Sequence, residues 1–143
     1  RHHWFAREHE IVLFDGVRDM LVELSERGVP LAVATGKSRR GLARAFEQTG
    51  LGPLFESSRC ADETHPKPHP AMLLELTGEL AVELSRTVMI GDTTHDLEMA
   101  AAAGAAGIGV TYGAHPRDQL AGCAPLALVN DVAELRRWLD ANG

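Results

Sequence analysis

A three-layer α/β domain built on a parallel sheet is the fold class that this sequence of 143 residues predicts, and three observations predict it. Short runs of apolar or β-compatible residues recur at Leu31 to Ala34, Thr87 to Ile90 and Gly107 to Thr111, the pattern of strands buried on both faces. Between them lie stretches of helical length whose apolar residues return every three or four positions. Several runs also close on Gly or on Gly-Asp, the punctuation of strand-to-helix turns. Strands alternating with helices in this way put helices on both sides of a parallel sheet.

Taken in order, Arg1 to Glu10 mixes His and Glu with Trp4, Phe5 and Ala6 and fits the tail of a helix better than a strand. Ile11 to Phe14 is a short apolar run closed by Asp15-Gly16, after which Val17, Met20, Leu21 and Leu24 hold helical spacing until Gly28, a C-cap residue. Leu31 to Ala34 is a continuous apolar strand that ends at Thr35-Gly36-Lys37-Ser38. A helix follows with Leu42, Ala43 and Phe46 on one face and Gly50 beyond its end. Phe55 to Cys60 gives a weak strand signal, and Asp62 to Pro68 is a polar, Pro-bearing loop. Pro70 suits the first turn of a helix whose face includes Leu73, Leu74 and Leu80, with Gly78 weakening its end.

Thr87 to Ile90 then runs straight into Gly91 and Asp92, and an apolar-periodic helix begins at about Thr94, carries Leu97, Ala100 and Ala101, and stops at Gly104. The Ala-rich run from Ala100 to Ala106 reads as helix packing, and no tandem repeat occurs. Gly107 to Thr111 and Pro125 to Val129 are two further strands, and Val132, Leu135, Arg136 and Leu139 mark a closing amphipathic helix. Trp4 and Trp138 read as packing residues.

Composition narrows the function classes. A hydrophobic fraction of 45% suffices for one core. A formal charge of −6 offers no basic face for a polyphosphate backbone, which argues against nucleic-acid binding. Cys60 and Cys123 have no metal-ligand spacing and read as reduced thiols of a cytoplasmic protein. No apolar run reaches the length of a membrane span, and Arg1-His2-His3-Trp4 has no signal-peptide pattern. The sequence starts without Met, so a cut N-terminus stays open.

Three groups that carry chemistry fall at the ends of successive segments. Asp92 hangs off the carboxyl end of a strand, where open α/β sheets place their ligands, and Asp96 lies in the first turn of the next helix. Two such carboxylates suit a hard divalent cation such as Mg2+; the alternative is an Asp serving only as a helix cap. Thr35 and Gly36 close an earlier strand, where a hydroxyl and the N–H groups of a helix start can hold phosphate oxygens. Lys67 supplies a point charge, its backbone kept extended by Pro66 and Pro68. Singly, Thr35 reads as a strand-end residue, Lys67 as a solvated lysine and Asp92 as a cap; together they make a cationic pocket for one phosphoryl group.

Leu31-Ala32-Val33-Ala34-Thr35-Gly36-Lys37, Lys67-Pro68-His69-Pro70 and Gly91-Asp92-Thr93-Thr94-His95-Asp96 resemble, in that order, motifs two, three and four of the haloacid dehalogenase superfamily. More narrowly the chain looks like the phosphoglycolate phosphatase-like branch, with Asp15-Gly16-Val17 where that branch usually has Pro-Gly-Val, and with Tyr112-Gly113 after the next strand. The resemblance implies that Thr35 binds the phosphoryl group with the Gly36 backbone in support. It further implies that Lys67 neutralises charge, that Asp92 is a Mg2+ ligand, and that Asp96 orients Lys67 or the water shell of the metal.

The first motif of that family is a pair of aspartates one residue apart at the end of the first, central strand. One attacks phosphorus; the other protonates the leaving alcohol and then activates water. No Asp-x-Asp occurs in the sequence. Around Asp15, the nearest mimic, the partner position holds Leu13 or Val17. The alignment therefore reads residues 1–14 as the remnant of a helical cap and its return, and residues 15–143 as the core domain without its usual first central strand. Two strands would then lack a partner, so the chain is expected to be the C-terminal part of a longer protein; a pseudo-strand at Ile11 to Phe14 is the alternative. The function implied is a Mg2+-dependent phosphatase acting on a small phosphorylated metabolite through an aspartyl-phosphate, with the nucleophile outside this sequence and this chain alone inactive. The alternative is an inert module that binds a phosphorylated ligand or partner. Arg39 and Arg40 either reach the substrate or start a solvated helix, His95 either tunes the site beside the two carboxylates or is an exposed helix residue, and Tyr112 with His115-Pro116 forms a lid or, the favoured reading, a turn.

Overall fold

The structure, a computed structural model, describes residues 3–6, 16–111, 117–123 and 125–142. Twelve elements alternate along it: β1 (His3–Ala6), α1 (Val17–Glu26), β2 (Leu31–Ala34), α2 (Arg39–Thr49), β3 (Ser57–Arg59), α3 (Ala71–Leu80), β4 (Thr87–Gly91), α4 (Thr94–Ala103), β5 (Ala106–Val110), α5 (Arg117–Ala121), β6 (Ala127–Val129) and α6 (Val132–Asn142). The strands form one sheet in the order β3-β2-β1-β4-β5-β6, every neighbouring pair parallel.

Side-chain alternation along β2 and β4 splits the interior into two cores. Leu31, Val33, Val88 and Ile90 face a cluster that includes Met20 and Leu24 of α1, Leu42 of α2, and Leu135 and Leu139 of α6. Ala32, Ala34 and Met89 point the other way, onto Met72 and Leu76 of α3 and Met99 and Ala103 of α4. Helices thus cover both faces, which is why β2 and β4 read as unbroken apolar runs. Each fully buried Leu or Met contributes about 2 kcal/mol of transfer free energy.

His3–Ala6 corrects the expectation of a helical tail over Arg1 to Glu10. It takes the centre of the sheet, with Trp4 beside Leu31 and Val88, and Ala6 beside Val33 and Ile90. The facing edges of β2 and β4 each present backbone donors and acceptors that need partners, and four extended residues satisfy both rows. The aspartate-bearing strand implied by the resemblance is absent from the sequence, and a His-Trp-Phe-Ala strand without a carboxylate stands in its position. Ile11 to Phe14, Asp15 and the Tyr112 to Pro116 turn lie outside the described residues.

Smaller differences follow from packing. Ala43 is exposed and Ala45 is buried instead, because α2 packs through Leu42 and Ala45. Leu74 is 46% exposed while Met72, Leu73 and Leu76 carry the α3 contact. Ala101 faces outward on α4, and α5, unmarked by any sequence signal, packs through Leu120. Trp138 packs against the larger core as expected.

Candidate active site

The carboxyl ends of β2 and β4 converge on one edge of the sheet, and the residues that follow them build the site. Thr35 comes directly after β2 and is 1% exposed. Its N–H donates to the Arg59 carbonyl at 3.1 Å, and its hydroxyl accepts from the Lys37 N–H at 3.1 Å. Ser38 then caps α2, its Oγ accepting from the Gly41 N–H. A Cβ added at Gly36 would meet no atom within 4 Å, so the loop between Thr35 and the cap faces open space.

Asp92 and Asp96 are both 0% exposed. Asp92 follows the last residue of β4, yet it is not the helix cap: Thr93 is, with its hydroxyl accepting from the Asp96 N–H at 3.2 Å. Asp96 returns the contact, Oδ2 accepting from the Thr93 N–H at 3.2 Å and from the Thr93 hydroxyl at 2.8 Å, a reciprocal capping box. Its other oxygen, Oδ1, takes the Lys67 ammonium at 2.5 Å. Gly91 makes this possible, because a Cβ there would lie 2.3 Å from the Asp96 Cβ.

Lys67 arrives from the loop between β3 and α3, its side chain 8% exposed. Besides Asp96 it donates to the Ala34 carbonyl at 3.4 Å, one residue before Thr35. The expectation of extended backbone around it is corrected: the His69 N–H donates to the Pro66 carbonyl at 3.1 Å, so the segment turns. The turn lets one lysine bridge the end of β2 and the start of α4. Gly36, Ala61, Pro66, Lys67, Thr93 and His95 line a cleft of about 210 Å3.

The structure thus brings Lys67 onto Asp96 and beside the end of β2, with Thr35 and Asp92 at the same sheet edge. Among the described residues no three His, Cys, Asp or Glu side chains cluster as metal ligands. Mg2+ is commonly held by one or two carboxylates with waters and substrate phosphate, so a buried hard-oxygen donor such as Asp92 fits it. Asp96 has an oxygen on Lys67 and an oxygen on Thr93, which matches the orienting role more closely than direct ligation. Cys60, at the end of β3, is buried, and burial pushes its thiol up to about 11, so it is not a reactive nucleophile. Sequence reading missed the Thr93 box, although Thr93-Thr94-His95-Asp96 carries its spacing. It also missed the partners of Arg39, which turns onto Glu63 and Ser58.

Fold and site together define a Rossmann-like α/β domain with a crevice at the carboxyl edge of its sheet, lined by Lys67, Thr93 and His95 among small residues. The chain belongs to the haloacid dehalogenase-like hydrolase family, whose sequence model matches residues 1–110. It is 42% identical over 125 residues to a probable phosphatase, IndB, of Dickeya dadantii (strain 3937), covering 87% of this chain and 54% of that protein. It is 36% identical over 102 residues to the phosphoglycolate phosphatase of Pectobacterium atrosepticum, covering 71% and 44%. A crystal structure of a predicted phosphoglycolate phosphatase from Haemophilus somnus 129pt superposes with a TM-score of 0.82 at 27% identity, covering 88% of this chain and 56% of that one. A hydrolase of the same family from Deinococcus radiodurans R1, solved with bound phosphate and sodium, gives 0.82 at 26% identity, covering 90% and 59%. The chain spans about half the length of the curated relatives it matches. No described helix is long and apolar enough to cross a membrane.

Proposed function

We propose that the whole protein is a Mg2+-dependent phosphatase for a small phosphorylated metabolite such as phosphoglycolate. The observation that carries this reading is the buried Lys67–Asp96 pair, which holds an ammonium beside the end of β2 at the edge that also bears Thr35 and Asp92. Lys67 donates a charge-assisted hydrogen bond to a phosphoryl oxygen, Thr35 and the Gly36 backbone bind further oxygens, and Asp96 fixes the ammonium. Asp92 would hold Mg2+, which supplies charge neutralisation on the phosphoryl oxygens. Phosphate bound in the Deinococcus relative supports the ligand class.

The attacking carboxylate is proposed to come from outside these 143 residues, which contain no Asp-x-Asp. That carboxylate forms a bond to phosphorus as the ester oxygen leaves with a proton, and water then cleaves the resulting acyl phosphate. In the whole protein an aspartate-bearing strand would take the central position that His3–Ala6 fills in this chain, leaving residues 1–14 to serve as the return from a cap to the core at 15–143. The reading also places the protein in the cytoplasm.

The test is release of phosphate from 2-phosphoglycolate and other small phosphate monoesters by the protein encoded by the intact gene, with Mg2+ and with EDTA. Turnover that needs Mg2+ and is abolished by Asp92→Asn is expected; wild-type turnover in that variant overturns the assignment. A second reading has its own observation: β1 carries no carboxylate. On that ground the 143-residue chain by itself binds phosphate without hydrolysing it. Steady Mg2+-dependent turnover by this chain alone would contradict the placement of the nucleophile.

A further inference from the structure

The loop that delivers Lys67 is fastened to the loop that follows Thr35 by a contact at the wall of the cleft and by a set of side-chain contacts around Arg39. The Ala61 N–H donates to the Lys37 carbonyl at 2.9 Å. The Arg39 N–H, one of the donors that a helix start leaves without an intrahelical acceptor, donates to Asp62 Oδ1 at 3.1 Å. The Arg39 guanidinium then grips Glu63 with both arms, Nε to Oε2 at 3.0 Å and Nη2 to Oε1 at 2.7 Å. Its Nη1 donates to the Ser58 hydroxyl at 2.7 Å, and Nη2 also reaches the Ser58 carbonyl at 3.2 Å. Glu63 Oε1 in turn accepts from the Cys60 N–H at 2.9 Å. Strand β3, the loop after it and the start of α2 thus meet on one planar cation.

We infer that Arg39 is a positioning residue for Lys67: by holding Asp62 and Glu63 onto the start of α2, it sets the height at which the loop presents the ammonium to the edge between Thr35 and Asp92. Glu63 lies four residues before Lys67; between them the Thr64 hydroxyl donates to Glu75 at 2.6 Å and the His65 ring stacks on His69 with centroids 4.5 Å apart. A bidentate fork fixes orientation as well as distance. An exposed single-point ion pair would not, since such pairs contribute little. The Glu63 carboxyl is drawn down to about 2, chiefly by its hydrogen bonds to Arg39. Arg39 does not act on substrate itself, because its guanidinium is turned onto Glu63 and Ser58. The consequence for ligand binding rests on the phosphate-binding role proposed above for Lys67.

Two readouts on the 143-residue chain separate the clamp from that role. The first is amide hydrogen exchange in wild type and Arg39→Gln. The Ala61 and Glu63 N–H groups, bonded to Lys37 and Cys60, are expected to exchange about tenfold faster in the variant, while those of α4 and α6 hold their rates. Unchanged exchange at Ala61 and Glu63 overturns the clamp. The second is the affinity for inorganic phosphate followed by NMR. Arg39→Gln is expected to weaken binding about fivefold in wild type and not at all in a Lys67→Ala background, with Arg39→Lys restoring only part of the loss. An equal loss in both backgrounds overturns the route through Lys67. If wild type binds no phosphate, the phosphate-site reading fails, and the exchange comparison still decides the clamp.

Discussion

Lys67 Nζ lies 2.5 Å from Asp96 Oδ1, and the second oxygen of that carboxylate caps helix α4 through Thr93. One buried side chain therefore starts a helix and holds the cation of the site. The two tasks share one geometry, and most of the expected mutational behaviour follows from it.

Replacing Lys67 by Met keeps the volume and removes the charge. Asp96 would then be a fully buried carboxylate without its cation, and the folded state is expected to lose about 3 kcal/mol. Urea denaturation at neutral pH measures the loss, and a change under about 0.5 kcal/mol would mean that the pair is worth no more than a surface one.

Gly91→Ala tests the close approach. A methyl group 2.3 Å from the Asp96 Cβ cannot be seated without movement of α4, at an expected cost of about 1–3 kcal/mol. The same variant should weaken phosphate binding, since Asp96 carries Lys67 with it. Retention of both stability and affinity would show that the start of α4 yields freely.

Removing the metal should loosen phosphate. With Mg2+ present, the wild-type chain is expected to bind inorganic phosphate about tenfold more tightly than in EDTA, equivalent to about 1.4 kcal/mol. In Asp92→Asn the two titrations should coincide. Calorimetry with and without chelator reads both, and an undiminished Mg2+ effect in the variant would move the metal away from Asp92.

Acid should act through Glu63. Its carboxyl sits near 2 in the folded chain against an ordinary 4.5, so the unfolded chain takes up the proton first. The contribution is complete above the ordinary value and is lost as pH falls from there through about 2. Glu63→Gln should therefore flatten the pH dependence of stability between about 5 and 2 relative to wild type. Parallel curves would mean that the ion pair with Arg39 does not persist in solution.

The strands and helix starts that were legible in the sequence are those whose signals are local. Leu31 to Ala34 is apolar at every position because both faces are covered, and its bounds agree with the structure. Thr94 opens α4 and Gly104 closes it at a φ of 87°, the left-handed conformation that favours glycine. His3 to Ala6 was not legible, since nothing in four mixed residues marks a strand until β2 and β4 offer hydrogen bonds from both sides. At the site, what was legible is that the segments carrying Thr35, Lys67, Asp92 and Asp96 meet at one edge of the sheet, which follows from their order along alternating strands and helices. The partnership of Arg39 with Glu63 was not, because 24 residues separate them and an arginine after a phosphate loop has the same local appearance whichever way it turns.

The sheet also ends in a particular way at each side. Its outermost strands, Ser57–Arg59 and Ala127–Val129, are three residues long, and Arg59 is fastened to Glu75 and Glu79 of α3. A template that short, bordered by charge, gives an incoming strand few backbone groups to grip. The domain should accordingly resist edge-to-edge stacking into fibrils at high concentration, even though its interior strands are rich in residues that favour such growth.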